Sequence, residues 1–269
     1  CETLMRASRT SCHRLRAATG PSAVRTMVEQ YDLGNEFYAA WLGPSMSYSS
    51  AIFTNGDDLE AAMRTKYERI AARAGIRPGD RILEIGCGWG AMAEYAAGEL
   101  GCTVTAVTIS REQHDYVVRR MKEAGLDDRV EVLLTDFRDI EGEFDRVISI
   151  EMIESIDEAA WVDLYGVISR SLVPSGTAAL QVITIDHDLH LQMIGREEFI
   201  RAYIFPGGAL PSTKILRRLG DDDPRAVDRG GEGVGPPGRH LVDAETAVEQ
   251  AEENLRVTQK RFEADASVS

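Results

Sequence analysis

The stretch from residue 81 to 100 constrains this chain more than any other. A short apolar run, RILEIG at 81–86, opens into the turn GCGWG at 86–90 and then into an alanine-rich helical stretch at 91–100. Strand, glycine turn and helix in immediate succession let backbone approach a ligand without Cβ obstruction, and they leave free N–H groups at the helix start. The pattern continues on both sides. LEAAMRTKYERIAARA at 59–74 places Leu59, Ala62, Met63, Ile70 and Ala74 on helical spacing, with Lys66 and Arg73 counted among the polar positions and Gly75 and Pro78 stopping the helix. TVTAVTI at 103–109, RVEVLL at 129–134, RVISI at 146–150 and TAALQVITI at 177–185 read as further strands, with helices at 111–124 and 157–172. This alternation predicts an α/β fold: a doubly wound, mostly parallel sheet with helices on both faces and a ligand beyond the strands' carboxyl ends.

Length and charge narrow the class. A chain of 269 residues, 43% hydrophobic, suits one α/β core with small appendages. Residues 1–28 read as a poorly ordered Arg-rich leader and 29–219 as the main domain with an N-terminal helical cover. Residues 220–240 read as an acidic Gly/Pro linker and 241–269 as a C-terminal helix with a narrow apolar stripe. A formal net charge of −14 counts against nucleic acid as a partner. No run reaches the roughly 18 apolar residues of a spanning helix. Cys1, Cys12, Cys87 and Cys102 show no metal or CxxC spacing, so a cytoplasmic setting and no metal site are expected. A start at Cys1 reads as a fragment boundary rather than a processed lipoprotein.

The turn itself departs from the dinucleotide fingerprint. Its third glycine comes one residue early, and the second strand ends in Thr108, Ile109 and Ser110, with no ribose-binding acid. Glu84, just before the turn, suits a ligand carrying a positive sulfonium and ammonium. A tight turn with no ligand is the alternative reading.

Five segments stand in order, YDLGNEFY at 31–38, MSYSSAIF at 46–53, LEIGCGWG at 83–90, VTISREQ at 107–113 and FPGGALPS at 205–212, within a stretch of roughly residues 28–219. Together the chain resembles the cyclopropane-fatty-acyl-phospholipid synthase and mycolic acid cyclopropane synthase family, including its fatty-acid C-methyltransferase relatives. The resemblance implies a Rossmann-like class I methyltransferase. It also implies that S-adenosylmethionine is held by Tyr48 and Ser49, by Ile82, Leu83, Glu84, Ile85, Gly86, Cys87, Gly88, Trp89 and Gly90, by Thr108, Ile109, Ser110, Arg111, Glu112 and Gln113, and by Asp136 and Phe137. The hydroxyls of Thr108 and Ser110 and the amide of Gln113 would replace the missing acid. Thr108 as a plain strand residue and Asp136 as a cap remain open.

Family members add a one-carbon unit to the cis double bond of a phospholipid acyl chain. The alkene attacks the sulfonium methyl, and proton loss from the resulting carbocation closes a cyclopropane. The base resembles a bound bicarbonate, held in relatives by a Cys, a Glu, a His, an Ile backbone group and a Tyr. Here Glu154 and Ile183 match, Ser50 stands for the Cys, Gln181 stands for the His, and the Tyr has no match. Retention of an anion stays open, as does Glu154 as a merely structural carboxylate. The Ser and Gln variants are similar to the branch containing fatty-acid C-methyltransferases, so a cyclopropane and a methyl or methylene branch stand level.

For lipid access, a helix at 196–205 groups Phe199, Ile200, Tyr203 and Ile204 beside a basic patch of Lys214, Arg217 and Arg218, while Phe37, Tyr38 and Trp41 cluster in an early helix. Peripheral contact with the inner membrane face and packing into a core are both compatible with these residues. Two other functions stay open: a small-molecule C- or N-methyltransferase, and a cofactor-binding but inactive partner subunit or homodimer. The second is motivated by the absence of recognisable last strands after residue 220.

Overall fold

Side chains alternate along the central strands and fill a layer on each side of the sheet. The computed structural model describes residues 34–54, 56–194, 207–221 and 240–242. A short helix α1 (Asn35–Ala39) and a longer α2 (Leu59–Ala74) precede β1 (Arg81–Ile85). Then come α3 (Ala91–Gly98), β2 (Thr103–Thr108), α4 (Arg111–Glu123), β3 (Val130–Leu134), β4 (Phe144–Ile150), α5 (Trp161–Ser171) and β5 (Leu172–Gln181). After them lie α6 (His187–Met193), α7 (Thr213–Asp221) and β6 (His240–Val242). The strands run in the order β3-β2-β1-β4-β5-β6, and every pairing is parallel. This is the doubly wound sheet expected from the alternation. Its order reverses between β1 and β4, where the carboxyl ends leave a crevice.

Period two decides which layer each residue joins. Ile82, Val104, Ala106 and Ile148 pack with Met63 and Ile70 of α2, Met92 and Ala96 of α3, and Val117 and Met121 of α4. Leu83, Ile85, Val107 and Val147 face the other way, onto Trp161, Leu164 and Ile168 of α5 and Leu216 of α7. The same alternation turns Glu84 toward the α2 layer and buries it to 3% exposure. The α2 boundaries follow their local signals. The Asp58 carboxylate accepts from the Ala61 amide at 2.8 Å, and Gly75 closes the helix in the left-handed region at φ 65°.

Three sequence expectations change. Lys66, counted as polar and therefore outward, is fully buried on α2. The last strand of the alternation is Leu172–Gln181 rather than 177–185, because pairing with β4 ends at Ile150 with Gln181, and the Ile183 amide turns away to the Glu154 carboxylate. His240–Val242, expected as the end of a linker and the start of a helix, is a strand paired to Thr177–Ala179 of β5. Parallel pairing along an open edge outweighs a narrow helical stripe there. The leader 1–28, the helix expected at 196–205 and the remainder of the expected C-terminal helix from 243 onward lie outside the described residues. Among the described residues no helix is long and apolar enough to cross a membrane.

Candidate active site

A cavity of about 670 Å³ opens over the crevice between β1 and β4. Its floor is the glycine turn, whose three glycines do two different jobs. A Cβ on Gly86 would lie 2.7 Å from the Met152 side chain and one on Gly90 2.8 Å from Val117, so these two permit close packing. Gly88, at φ +53°, has nothing within 4 Å of its Cβ position and lines the cavity, so its bareness leaves room for a ligand against the backbone. The turn is pinned at its base, where the Gly86 and Cys87 amides both donate to the Val107 carbonyl at 3.0 Å.

Beneath the turn sits a buried charge cluster. Burial pushes the Glu84 carboxyl up to about 8, while the Ala93 amide, Arg120 and Lys66 pull it down. One Glu84 oxygen, Oε2, is buried with no hydrogen-bond partner. Burial also lowers the Lys66 ammonium, opposed by the nearby Glu151 and Glu84 carboxylates, and its Nζ donates to the Ser49 hydroxyl at 2.7 Å. Arg120 ties the turn to the preceding loop, donating to the carbonyls of Ser45 at 2.8 Å and Trp89 at 3.1 Å. The Trp89 indole, 2% exposed, donates to Asn35 Oδ1 at 2.7 Å.

At the end of β4 the chain bends sharply: Glu151 adopts φ +47°, and its amide donates to the Gln181 carbonyl at 2.8 Å. That bend sets its carboxylate on the cavity wall, where Oε1 accepts from the Ser50 amide at 2.8 Å, from the Ser50 hydroxyl and from Gln181 Nε2 at 2.8 Å. Three donors converge on one oxygen. One turn further on, Glu154 Oε1 accepts from the Ile183 amide, and its Oε2 is buried without a partner. Burial pushes Glu154 up to about 8, with the Glu151 charge adding to the effect and the backbone hydrogen bonds opposing it. At neutral pH Glu154 therefore holds its proton, while Glu151 faces the cavity.

A family model described as mycolic acid cyclopropane synthetase matches residues 20–223. The chain belongs to that family. Its relatives include the tuberculostearic acid methyltransferase UfaA1 of Mycobacterium tuberculosis, 36% identical over 89% of this chain and 55% of the relative. The cyclopropane-fatty-acyl-phospholipid synthase of Escherichia coli K12 is 38% identical over 70% of this chain and 47% of the relative. The chain thus spans about half the length of these two relatives. Among solved structures, mycolic acid cyclopropane synthase CmaA1 complexed with SAH and CTAB superposes with a TM-score of 0.70 at 26% identity, covering 77% of this chain and 76% of that one. The fold is the Rossmann-like class I methyltransferase fold.

In this member of the family, Tyr48, Ser49, Glu84, Ile85, Gly86, Cys87, Gly88, Trp89, Thr108, Ile109, Gln113, Asp136 and Phe137 line the cavity. The other residues expected at the cofactor do not. Ile82 and Leu83 are strand residues committed to the two cores, and Gly90 is the packing glycine of α3. Ser110 caps α4, its hydroxyl accepting from the Gln113 amide at 3.3 Å. Arg111 and Glu112 are exposed, and Glu112 accepts from the Asn35 side chain at 3.2 Å. The Thr108 hydroxyl donates to Gln113 Oε1 at 2.7 Å, so the amide end of Gln113 remains for a ligand. Asp136 is both cavity wall and cap: it accepts from the Arg138 backbone at 2.9 Å and pairs with the Arg138 guanidinium, which lowers its carboxyl.

These residues fit S-adenosylmethionine. The partnerless Glu84 oxygen, the open Gly88 and the Gln113 amide offer a counter-charge, an approach and a donor. They do not fit bicarbonate in the same way, because the Ser50 and Gln181 donors are already engaged by Glu151. Sequence reading overlooked Glu151, Lys66, Asn35 and Arg120. Two signals could have revealed the first two: Glu151 directly follows a strand's carboxyl end, and Lys66 falls on the stripe 59, 62, 63, 66, 70.

Proposed function

We propose that this chain transfers a one-carbon unit from S-adenosylmethionine to the double bond of an unsaturated fatty acyl chain of a phospholipid, leaving a cyclopropane or a methyl or methylene branch. The observation that carries the reading is the meeting of Ser50, Glu151, Glu154, Gln181 and Ile183, from three distant stretches of chain, beside a cavity floored by the glycine turn. Ile109, Phe137, Ile150, Met152 and Ile156 wall the same cavity, which suits an alkene better than a polar small molecule. When bound, S-adenosylmethionine supplies an electrophilic methyl. Glu84 offers that cation its counter-charge, and the apolar wall keeps water from the developing carbocation. Phe37 and Trp41, each 51% exposed, pack edge-on with each other, Trp41 packs edge-on with Tyr48 of the cavity wall, and together they form an aromatic rim that we assign to the bilayer interface.

Incubation with methyl-labelled S-adenosylmethionine and oleoyl phospholipid vesicles, followed by mass spectrometry of the fatty acids, tests the reading. Label in the acyl chain is expected, and fragmentation then separates ring from branch. An unlabelled lipid pool under conditions in which calorimetry shows the cofactor bound would refute it.

A further inference from the structure

The place where a free anion would sit holds part of the chain itself. We infer that the Glu151 carboxylate substitutes for the bicarbonate of related enzymes and is the catalytic base that takes the reaction's last proton. The inference rests on the acyl-chain reading above, and four observations support it.

First, the Ser50 amide and hydroxyl and the Gln181 amide, two of the positions the family resemblance assigns to anion binding, all donate to Glu151 Oε1. A second carboxylate-like anion on those donors would meet the charge of Glu151. Second, all three bonds fall on one oxygen, which fixes the group and leaves Oε2 to the cavity that Glu151 lines. Third, the backbone holds this residue at φ +47°, a conformation that side-chain-bearing residues rarely adopt, and the Glu151 amide is tied to the Gln181 carbonyl at 2.8 Å. The fold thus presents the side chain from the carboxyl end of β4, at the switch point of the sheet. Fourth, the neighbouring carboxylate does not compete for the role: Glu154 does not line the cavity, and its Oε1 is taken by the Ile183 amide.

The step balances without another reactant. The alkene's π pair forms a carbon–carbon bond to the sulfonium methyl as the carbon–sulfur bond breaks, and sulfur keeps that pair as a neutral thioether. The positive charge passes to the neighbouring alkene carbon. A C–H bond of the added methyl then breaks, its electrons closing a ring or, after a hydride shift, forming a methylene. The proton goes to Glu151 Oε2, which returns it to solvent. Ser50 and Gln181 are positioning residues, donating to the carboxylate without touching the substrate.

The experiment uses the full chain with ¹³C-bicarbonate as the probe. In CO2-free buffer the wild type is expected to turn over oleoyl phospholipid at its full rate, and the ¹³C bicarbonate resonance is expected to show no protein-dependent broadening. Glu151→Gly vacates the donors and suits the positive φ. It should lose about a hundredfold or more in rate, broaden the bicarbonate resonance, and recover at least about tenfold in rate when bicarbonate is restored, the scale of a regained acid–base contribution. Glu151→Gln keeps the donors occupied but cannot take a proton, so it should be slow and not rescued. Calorimetric binding of S-adenosylmethionine reports that both variants are folded.

A wild type that needs bicarbonate or broadens its resonance, a Glu151→Gln variant that turns over normally, or a Glu151→Gly variant that ignores bicarbonate in both readouts would each overturn the inference. If the wild type labels no acyl chain at all, the functional reading fails instead. The resonance measurements would then still decide whether Glu151 fills the anion's place.

Discussion

Glu84 is a buried acid whose ordinary state depends on its ligand. With its carboxyl pushed up to about 8, it rests protonated at pH 7. A bound sulfonium and ammonium would return it to the carboxylate. Binding of S-adenosylmethionine at pH 7 should therefore release about one proton, and affinity should tighten about tenfold per pH unit from 6 to 7 before levelling near 8. Calorimetry in buffers of different ionisation enthalpy measures this directly, and identical heats in all of them would exclude Glu84 as the proton source. The glycines give a second residue-scale test. Gly88→Ala should weaken cofactor binding tenfold or more, at a stability cost of about 1–2 kcal/mol for the positive φ. Gly90→Ala should lower the melting temperature more, because its Cβ meets Val117. At this scale the sequence was readable where a residue's chemistry and position agree, as for Glu84 and Gly88. For Glu151 it offered only a place just after a strand's carboxyl end, because the bend at φ +47° that sets the carboxylate on the cavity wall is announced by no residue type.

Elements were legible where an apolar period extends over a whole segment. β1 and α2 fall where expected because two-residue and 3.6-residue periods leave little choice of face. Misreadings arose where tertiary contacts overrule the pattern. β5 stops at Gln181 because the Ile183 amide is drawn off to Glu154, and Lys66 is buried because α2 must cover two carboxylates with one of its own side chains. The short α1 carries the element-scale prediction. Its last turn and the second residue beyond it present Phe37 and Trp41 half-exposed beside the cavity rim, where burial in lipid would favour binding by roughly 1 kcal/mol each. Phe37→Ala and Trp41→Ala should each weaken sedimentation with oleoyl phospholipid vesicles about fivefold, an effect that follows from that energy. Cofactor binding in the absence of lipid should hold. Unchanged vesicle binding in the double variant would remove the rim from the membrane contact.

For the molecule as a whole, the site is a source of instability that varies with pH. Burial raises the Glu84 and Glu154 carboxyls to about 8 in the folded protein, against 4.5 for an unperturbed glutamate. The native state binds more protons than the unfolded chain between those limits, so stability is fully present below about 4.5 and is lost as pH rises toward 8. The slope has an upper bound of about 1.4 kcal/mol per pH unit for each group. Lys66 acts in the opposite sense above that range. Its folded value, lowered to about 8 from 10.5, means that folding releases its proton there, and stability recovers as pH rises further. The apo protein should therefore pass through a minimum in melting temperature near pH 8. Saturating S-adenosylmethionine should remove the share of Glu84 and roughly halve the fall between pH 5.5 and 7.5. Glu154→Gln should remove the other share with or without the cofactor. Thermal unfolding across that range, on the wild type and this variant, distinguishes the two carboxylates. A flat profile in the apo wild type would mean that neither acid is held protonated by the fold, and Glu154 would then return as a rival to Glu151 for the reaction's proton.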